Sequence, residues 1–258
     1  MAELVHYRTE SGVATITLDS PHNRNALSAQ LRRELRDHLT TAAGDDAVRV
    51  IVLDHTGSVF CAGMDLKEAG TPGSSTVGVN EFPEILTQIW TSSKPVVAKV
   101  AGPARAGGVG IVAAADIAVA ATDATFAFTE VRLGLVPAVI SVTVLPRLLP
   151  RAAHELFLTG EKFDAERAVA IGLLNAAVPA DGLDAEVARY TGMLAQGGPI
   201  ALAVTKDMLR RARAADPADD FADMLELSAG FFASDEGQEG IAAFAQKRRP
   251  SWVPVSEG

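Results

Sequence analysis

The chain has 258 residues, with 32 acidic and 23 basic side chains, so its formal net charge is −9. Apolar residues make up 48% and charged residues 21%, a composition that is typical of a globular protein and excludes a wholly disordered chain. The acidic balance argues against nucleic acid or an anionic membrane as a main partner. The single cysteine, Cys61, excludes an intramolecular disulfide and a metal site built from several cysteines.

The N-terminal sequence and the distribution of apolar residues bear on where the protein works. The opening residues show no positive head followed by a long apolar stretch, so no signal peptide is expected. No run of about 18 apolar residues lacks charges or turn residues, so no membrane span is expected. We therefore expect a soluble protein of a reducing, cytoplasmic compartment.

The first 195 residues predict short strands that alternate with helices, which is typical of an α/β protein. Residues 5–19 predict a hairpin that turns at Ser11-Gly12, and Ser28 is a good N-cap for a helix with apolar residues four apart. Residues 67–80, rich in Gly, Ser and Thr, are expected to form a mobile loop. The remaining predicted elements are strands at 48–54, 95–100, 117–120 and 126–128, and helices at 82–90 and 107–115.

The sequence changes character after residue 195, and three helices are predicted, at 200–214, 217–232 and 236–247. This divides the chain into a core of residues 1–195 and a helical region of residues 196–258. The second helix carries an apolar stripe that must pack on the core or on another subunit, and the sequence leaves both open. The stripe consists of Met224, Leu225, Ser228, Phe231 and Phe232.

Several familiar kinds of site find no support in the sequence. The five histidines show no metal-ligand spacing, and no G-x-S-x-G motif marks a serine nucleophile. The run Gly107-Gly108-Val109-Gly110 lacks the third glycine of a dinucleotide loop, and no Walker lysine follows it. These glycines either permit close helix packing or expose backbone N–H groups at a helix start.

A series of motifs runs along the chain in order. It comprises Asn25-Ala26-Leu27, GSVFCAGMDL at 57–66, KPVVAKVAG at 94–102, PARAGG at 103–108 with Asp116, FTEVRLGLVP at 128–137, and the segments 158–173 and 239–248. In combination these motifs resemble the enoyl-CoA hydratase/isomerase (crotonase) family over nearly the whole chain. The resemblance implies a spiral of ββα units with a C-terminal helical oligomerisation region that assembles a homotrimer or homohexamer. It also implies an acyl-CoA thioester substrate and no metal or redox cofactor, coenzyme A being part of the substrate.

The resemblance also implies where catalysis takes place. Reactions at Cα or Cβ of a thioester pass through an enolate, whose oxygen needs two preorganised N–H donors. In this family the donors are backbone amides, which match Ala62 and Gly107 here. Small residues suit both positions, because a bulky side chain would hold the thioester oxygen away.

The chain departs from the family at one of two expected glutamates. The second matches Glu130, but the first falls on Gly110, which has no side chain. A hydratase with one glutamate is expected, in which Glu130 both takes and returns the proton. The alternatives are an isomerase that converts 3-enoyl-CoA to 2-enoyl-CoA, a methylglutaconyl-CoA-type hydratase, and a non-catalytic acyl-CoA-binding homologue. A replacement carboxylate could come from Glu68, Glu81 or Glu84, each of which is also explained as a surface acid.

Glu130 has two interpretations. In an extended segment it would share a face with Arg132 and could form an ordinary ion pair. Apolar neighbours such as Phe128 and Val131 would instead raise its pKa and suit it to proton transfer, which is the interpretation we prefer.

The remaining candidate residues would bind the substrate. Arg24 and Ala26 match positions near the phosphates and adenine of coenzyme A, and Phe244 with Lys247 matches a pair that reaches the nucleotide from a neighbouring subunit. The alternative explanation for the second pair is that Lys247 belongs to an ordinary solvent-exposed basic run, Lys247-Arg248-Arg249. The other candidates for substrate contact are Gly63, Asp65, Leu66, Arg105 and Pro137.

Overall fold

A six-stranded sheet forms the centre of the protein in a computed structural model that describes residues 2–69, 74–211 and 216–254. The order of this sheet is β1-β2-β3-β4-β6-β9, and only the first pair is antiparallel. A second sheet has the order β5-β7-β8. The strands are β1 Val5–Glu10, β2 Val13–Leu18, β3 Val50–His55, β4 Val96–Val100, β5 Ala104–Arg105, β6 Ile117–Ala121, β7 Thr125–Ala127, β8 Phe163–Asp164 and β9 Ala176–Val178.

Helices connect the parallel strands, and four helices follow the last described strand, β9. The helices are α1 Ala29–Gly44, α2 Leu66–Ala69, α3 Ser74–Thr91, α4 Gly107–Ala114, α5 Ala138–Val144, α6 Pro150–Thr159, α7 Ala165–Ala170, α8 Leu183–Ala195, α9 Pro199–Arg210, α10 Pro217–Ala233 and α11 Asp235–Gln246. Short 3-10 helices lie at Pro21–Asn23, Glu130–Leu133 and Ala180–Gly182. No helix in the described ranges is long and apolar enough to cross a membrane.

The start of the chain folds as its pattern predicts. Val5 pairs with Leu18 across the hairpin, and Ser11 and Gly12 turn it with φ values of 48° and 79°. The Ser28 side chain accepts a hydrogen bond from the Leu31 N–H at 3.3 Å, which caps α1. The apolar face of α1 is buried, so the hairpin and the first helix are confirmed.

The central strands are buried on both faces because side chains alternate along them. Val50 and Val52 of β3 lie in one apolar cluster with residues of α8, whereas Ile51 and Leu53 lie in the larger cluster on the other face. The sequence of β3 is almost entirely apolar because other residues of the chain pack against both of its faces.

Helix α4 is buried at every position and approaches the loop after β3 closely. A Cβ added to Gly108 would lie 2.6 Å from the carbonyl oxygen of Cys61. Because that contact is with backbone, no side-chain rotation relieves it. Gly108 therefore fixes how closely the two segments pack.

Two sequence predictions need correction, and the predicted apolar stripe of α10 is only partly covered within the described part of the chain. The expected loop at 67–80 is helical where it is described: α2 ends at Ala69 and α3 begins at Ser74, with residues 70–73 outside the described ranges. The helix predicted to reach residue 214 ends at Arg210, and residues 212–215 are likewise undescribed. No residue of α10 is fully buried: within the described part of the chain Met224 and Phe231 of the apolar stripe are partly covered, whereas Leu225 and Phe232 are exposed. The division of the chain at residue 195 stays a prediction.

Replacing Gly108 by alanine is expected to lower the free energy of unfolding by about 1–3 kcal/mol, since the new methyl group overpacks a backbone contact. Gly44→Ala is the matched control, because nothing lies within 4 Å of the Cβ position there. Denaturant unfolding of both variants measures the difference. Equal midpoints for Gly108→Ala and the wild type would show that α4 does not pack this closely.

Candidate active site

A cavity of about 330 Å³ opens beside the start of α4. Its wall comes from the loop after β3, from the first turn of α4, from Phe82 of α3, and from the segment between Thr129 and Ile140. Most of the wall is apolar, and Thr129 and Glu130 are the residues with polar side chains on it. The apolar lining residues include Met64, Leu66, Phe82, Leu133, Leu135, Val136, Val139 and Ile140.

The backbone brings two distant segments together at this cavity. Strands β3 and β4 are parallel neighbours, so the loops that follow them leave the same edge of the sheet. The two segments pair at a bridge between Cys61 and Ala104. Gly63 has a φ of 90°, and a Cβ built there would lie 3.0 Å from the Ala106 Cβ and 3.5 Å from the Gly107 nitrogen. A side chain at Gly63 would therefore disturb this junction.

The backbone N–H groups at the junction without an acceptor among the described residues include two that belong to residues on the cavity wall. These two are the N–H groups of Met64, which lies in the loop after β3, and of Gly107, which is the first residue of α4. Ala106 precedes α4 with φ 47° and ψ −117°, a conformation that costs energy for a residue with a side chain. Unpaired N–H groups at a helix start favour negative charge, so this junction can stabilise an anionic oxygen.

The prediction that Ala62 supplies one of these donors is wrong. The Ala62 N–H donates to the carbonyl oxygen of Arg24 at 3.1 Å and is therefore committed to the backbone. Ala62 still lines the cavity, but the available donor on its segment is two residues further on, at Met64. The N–H of Gly107, the other predicted donor, has no acceptor among the described residues, and its role toward a substrate stays a prediction.

Glu130 is the only carboxylate on the described wall of the cavity. It begins the 3-10 helix Glu130–Leu133, and its Oε2 atom is buried without a hydrogen-bond partner in the described part of the chain. Burial raises the pKa of the Glu130 carboxyl above its ordinary value. A partly desolvated carboxylate with an unpaired oxygen is suited to accept a proton from a bound molecule.

The ion pair between Glu130 and Arg132 does not form, because the segment is a 3-10 helix rather than extended. Arg132 instead pairs with Glu161 and donates to the Thr159 carbonyl oxygen at 3.0 Å. The Glu130 carboxylate therefore has no ion pair with Arg132, and Glu130 lines the cavity.

The position of the missing carboxylate is filled by Ile140. A Cβ added to Gly110 would lie 2.7 Å from the Cγ2 atom of Ile140, which lies on α5 and lines the cavity. The three proposed replacement acids are engaged elsewhere. Glu68 accepts a hydrogen bond from the Ala29 N–H, Glu81 pairs with Arg32, and Glu84 pairs with Arg36. None of these three acids is on the described wall.

A larger cavity, of about 810 Å³, lies between the start of β3 and the C-terminal residues around Trp252. Its two cations are satisfied by backbone: Lys94 donates to the Ala42 carbonyl oxygen, and Arg49 donates to those of Gly197 and Trp252. It therefore lacks the combination of unpaired donors and a buried base that the smaller cavity has.

Comparisons with known proteins show which family the chain belongs to. The family model for enoyl-CoA hydratase/isomerase matches residues 8–254. The chain belongs to the enoyl-CoA hydratase/isomerase family. Members of this crotonase-fold family act on acyl-CoA thioesters.

Several relatives illustrate this membership over most of their length. Carnitinyl-CoA dehydratase of Citrobacter koseri is 34% identical, with 98% of this chain and 99% of the relative aligned. Enoyl-CoA hydratase domain-containing protein 3, mitochondrial, of Xenopus laevis is also 34% identical, over 95% of this chain and 84% of the relative. The crystal structure of an enoyl-CoA hydratase of Mycobacterium smegmatis superposes with a TM-score of 0.89 at 34% identity, covering 96% of this chain and 98% of that chain.

The structure brings some predicted substrate-binding residues to the cavity and leaves others outside it. Leu66 and Pro137 are on its wall, and Gly63 forms the junction beneath the two amides. Asp65 is not on the wall; it accepts hydrogen bonds from Asn23 and from the Lys67 N–H at the start of α2. The assignment of Arg105 to the substrate is wrong in this structure, because its guanidinium donates to Thr125 and ties β5 to β7.

The predicted nucleotide contacts lie away from this wall. Arg24 is exposed and Ala26 is buried, and neither lines the cavity. Phe244, at 87% exposure, and Lys247 lie at the end of α11. Their roles toward coenzyme A stay predictions.

Met64, Thr129 and Ile140 are the site residues that the sequence analysis missed. The motif analysis favoured the small residue Ala62, but the donor is a main-chain group, and its availability depends on which amides the fold already pairs. Ile140 contacts Gly110, which lies 30 positions earlier in the chain. Predicting this contact requires knowing that α4 packs against α5, which the sequence does not show. Thr129 directly precedes Glu130 and was the easiest of the three to find.

Replacing Glu130 by glutamine is expected to stabilise the fold increasingly as pH rises. The folded carboxyl ionises at a higher pH than the unfolded one, so the folded wild type binds more protons between the two pKa values. The wild type therefore loses free energy of unfolding through that interval, whereas glutamine does not. Denaturant unfolding of both proteins at about pH 4 and about pH 8 measures this. A difference between them that is the same at both pH values would contradict the assignment of a raised pKa.

Proposed function

We propose that the protein adds water to the double bond of a 2-enoyl-CoA thioester to give a 3-hydroxyacyl-CoA, with Glu130 as the acid and base. One observation carries this proposal. The unpaired Oε2 of Glu130 and the unpaired amides of Met64 and Gly107 belong to the wall of the same cavity. This arrangement supplies a base for water and donors for the thioester oxygen.

The proposed reaction has two steps. The Glu130 carboxylate accepts a proton from water while the water oxygen bonds to Cβ, and the electrons of the double bond move onto the thioester oxygen. The resulting enolate then collapses, and Cα takes the proton from the Glu130 carboxyl. The sum is addition of one water, and Glu130 ends in its starting state. Thr129 is the other residue with a polar side chain on the wall, and it would help to hold the water.

The amides of Met64 and Gly107 would stabilise the enolate more than the substrate, because charge develops on the oxygen only as the reaction proceeds. Each such donor typically contributes about 3–4 kcal/mol of transition-state stabilisation. The donors are fixed by the backbone, so they need no reorganisation when the charge appears.

Isomerisation of 3-enoyl-CoA to 2-enoyl-CoA is the second candidate, and the packing of Ile140 against Gly110 favours it. One base can remove a proton and return it two carbons away, and no second acid is needed. Hydration remains the first proposal because the Citrobacter koseri relative is named a dehydratase, and dehydration is the reverse of hydration.

The proposed oligomer rests on the C-terminal helices. Phe221, Leu225 and Phe232 of α10 are between 66% and 76% exposed in the single chain. Exposed apolar side chains on one helix are typical of a subunit interface, so we propose that this region assembles a homotrimer or homohexamer.

Glu130→Gln is expected to lower kcat for hydration by about 100-fold to 10,000-fold, the usual range for loss of an acid or base, while acyl-CoA binding is retained. The wild-type rate should fall as pH drops through the raised pKa of Glu130, because the base must be ionised. Loss of the enoyl absorbance of crotonyl-CoA measures hydration, and conversion of 3-enoyl-CoA measures isomerisation.

Glu84→Gln is the control, since Glu84 pairs with Arg36 outside the cavity. A Glu130→Gln variant with the wild-type rate would remove Glu130 from the mechanism. Activity on 3-enoyl-CoA with no hydration of any 2-enoyl-CoA would replace the first proposal by the second.

A further inference from the structure

We infer that the acyl group bound in the cavity is apolar and uncharged, so that acyl-CoA thioesters with a distal carboxylate or a distal quaternary ammonium are excluded. This inference rests on the proposed function, because it takes the cavity beside Glu130 as the acyl site. It names the class of substrate within a family whose members act on diverse acyl groups.

The charge of the wall is the first observation. Among the described residues that line the cavity, Glu130 carries the only charge, and no lysine, arginine or histidine is present. Residues 69–80, whose side chains are not described, contain no charged residue in sequence.

The arginines near these segments are already engaged. Arg32 is buried, donating to the Leu27 carbonyl oxygen at 2.6 Å and pairing with Glu81. Arg105 is held by Thr125, and Arg132 by Glu161 and the Thr159 carbonyl. A distal carboxylate would therefore find no cation on the described wall of the cavity, and giving up its water without a partner is costly.

Glu130 itself acts against both kinds of charge. A second carboxylate in the same cavity would repel the ionised Glu130 and oppose its function as a base. A quaternary ammonium would attract the Glu130 carboxylate and compete with the water that it must activate. An aromatic surface could bind such a cation, but Phe82 lies against Gly107, its Cζ atom 3.2 Å from the Cβ position there, at the thioester end.

The exposure of the wall is the second observation. Leu66, Leu133, Leu135 and Val136 line the cavity and are between 52% and 79% exposed in the single chain. An alkyl chain that covers them removes apolar surface from water on both sides. Each methylene added to the acyl chain is therefore expected to tighten binding about fourfold until the wall is covered.

Binding of matched saturated acyl-CoA pairs tests the inference without relying on turnover. One pair is glutaryl-CoA and the neutral thioester with an isopropyl group in place of the terminal carboxylate. The other is the thioester with a terminal trimethylammonium and its neutral tert-butyl counterpart. Calorimetry is expected to show each neutral member binding at least about 10-fold tighter, because a charged terminus either gives up its water without a partner or leaves the apolar wall uncovered. A charged member that binds as tightly as its neutral counterpart would overturn the inference.

A substitution on the exposed wall provides the second arm. Val136→Arg places a cation at a position that is 79% exposed, where arginine is tolerated, and should improve glutaryl-CoA binding at least about 10-fold relative to its neutral counterpart. Val136→Gln is the matched neutral control and should leave the preference as it is. An unchanged preference in Val136→Arg would show that this wall does not face the acyl group and would overturn the inference.

Failure of the two proposals would look different. If the neutral thioesters bind more tightly than the charged ones but no enoyl-CoA is hydrated, the assignment of acyl class stands and the hydratase proposal fails. If 2-enoyl-CoA is hydrated but the charged thioesters bind at least as tightly as the neutral ones, the hydratase proposal stands and the assignment of acyl class is wrong.

Discussion

Two unpaired backbone amides at one junction are the constraint on which the site depends. The loops after β3 and β4 are forced together because their strands are parallel neighbours, and the chain reaches the junction only through unusual backbone conformations at Gly63 and Ala106. Unpaired N–H groups and a strained residue both cost free energy in the resting protein. Such costs are typical of functional sites, and here they leave Met64 and Gly107 with donors that an anionic oxygen can use.

The packing of α4 against α5 decides which chemistry the site can perform. Gly110 and Ile140 fit each other so closely that a side chain at residue 110 would require Ile140 to move. The glycine is therefore part of a packed contact rather than an empty place for a carboxylate. Because Ile140 also lines the cavity, the same contact removes a polar group from the wall and adds an apolar one. The contact between Gly110 and Ile140 therefore explains both why the described wall has a single carboxylate and why the rest of that wall is mainly apolar.

Much of the fold could be predicted from the sequence, because its patterns are local. The hairpin at Ser11-Gly12, the Ser28 cap and the buried strands each depend on residues close together in the chain. The site was predicted less completely. The placement of Glu130 and Gly107 at the cavity was predicted, but the available donor on the 57–66 motif was placed at Ala62 instead of Met64. That choice depends on the hydrogen bond between the Ala62 N–H and Arg24, a contact between segments 38 positions apart. Arg105 was misassigned for a similar reason, since its partner Thr125 lies on another strand.

The most direct test of this account replaces one backbone N–H by an ester oxygen. Incorporating the α-hydroxy acid of methionine at position 64 removes that donor and keeps the side chain, and kcat for thioester turnover should fall about 100-fold to 1,000-fold. The same replacement at Ala62 removes the bond to the Arg24 carbonyl oxygen and weakens the Cys61 carbonyl oxygen as an acceptor for the Arg105 N–H, so stability should fall while most of the rate is kept. A wild-type rate for the Met64 ester, or an equal loss for the Ala62 ester, would contradict the claim that the Met64 amide stabilises the charge on the thioester oxygen.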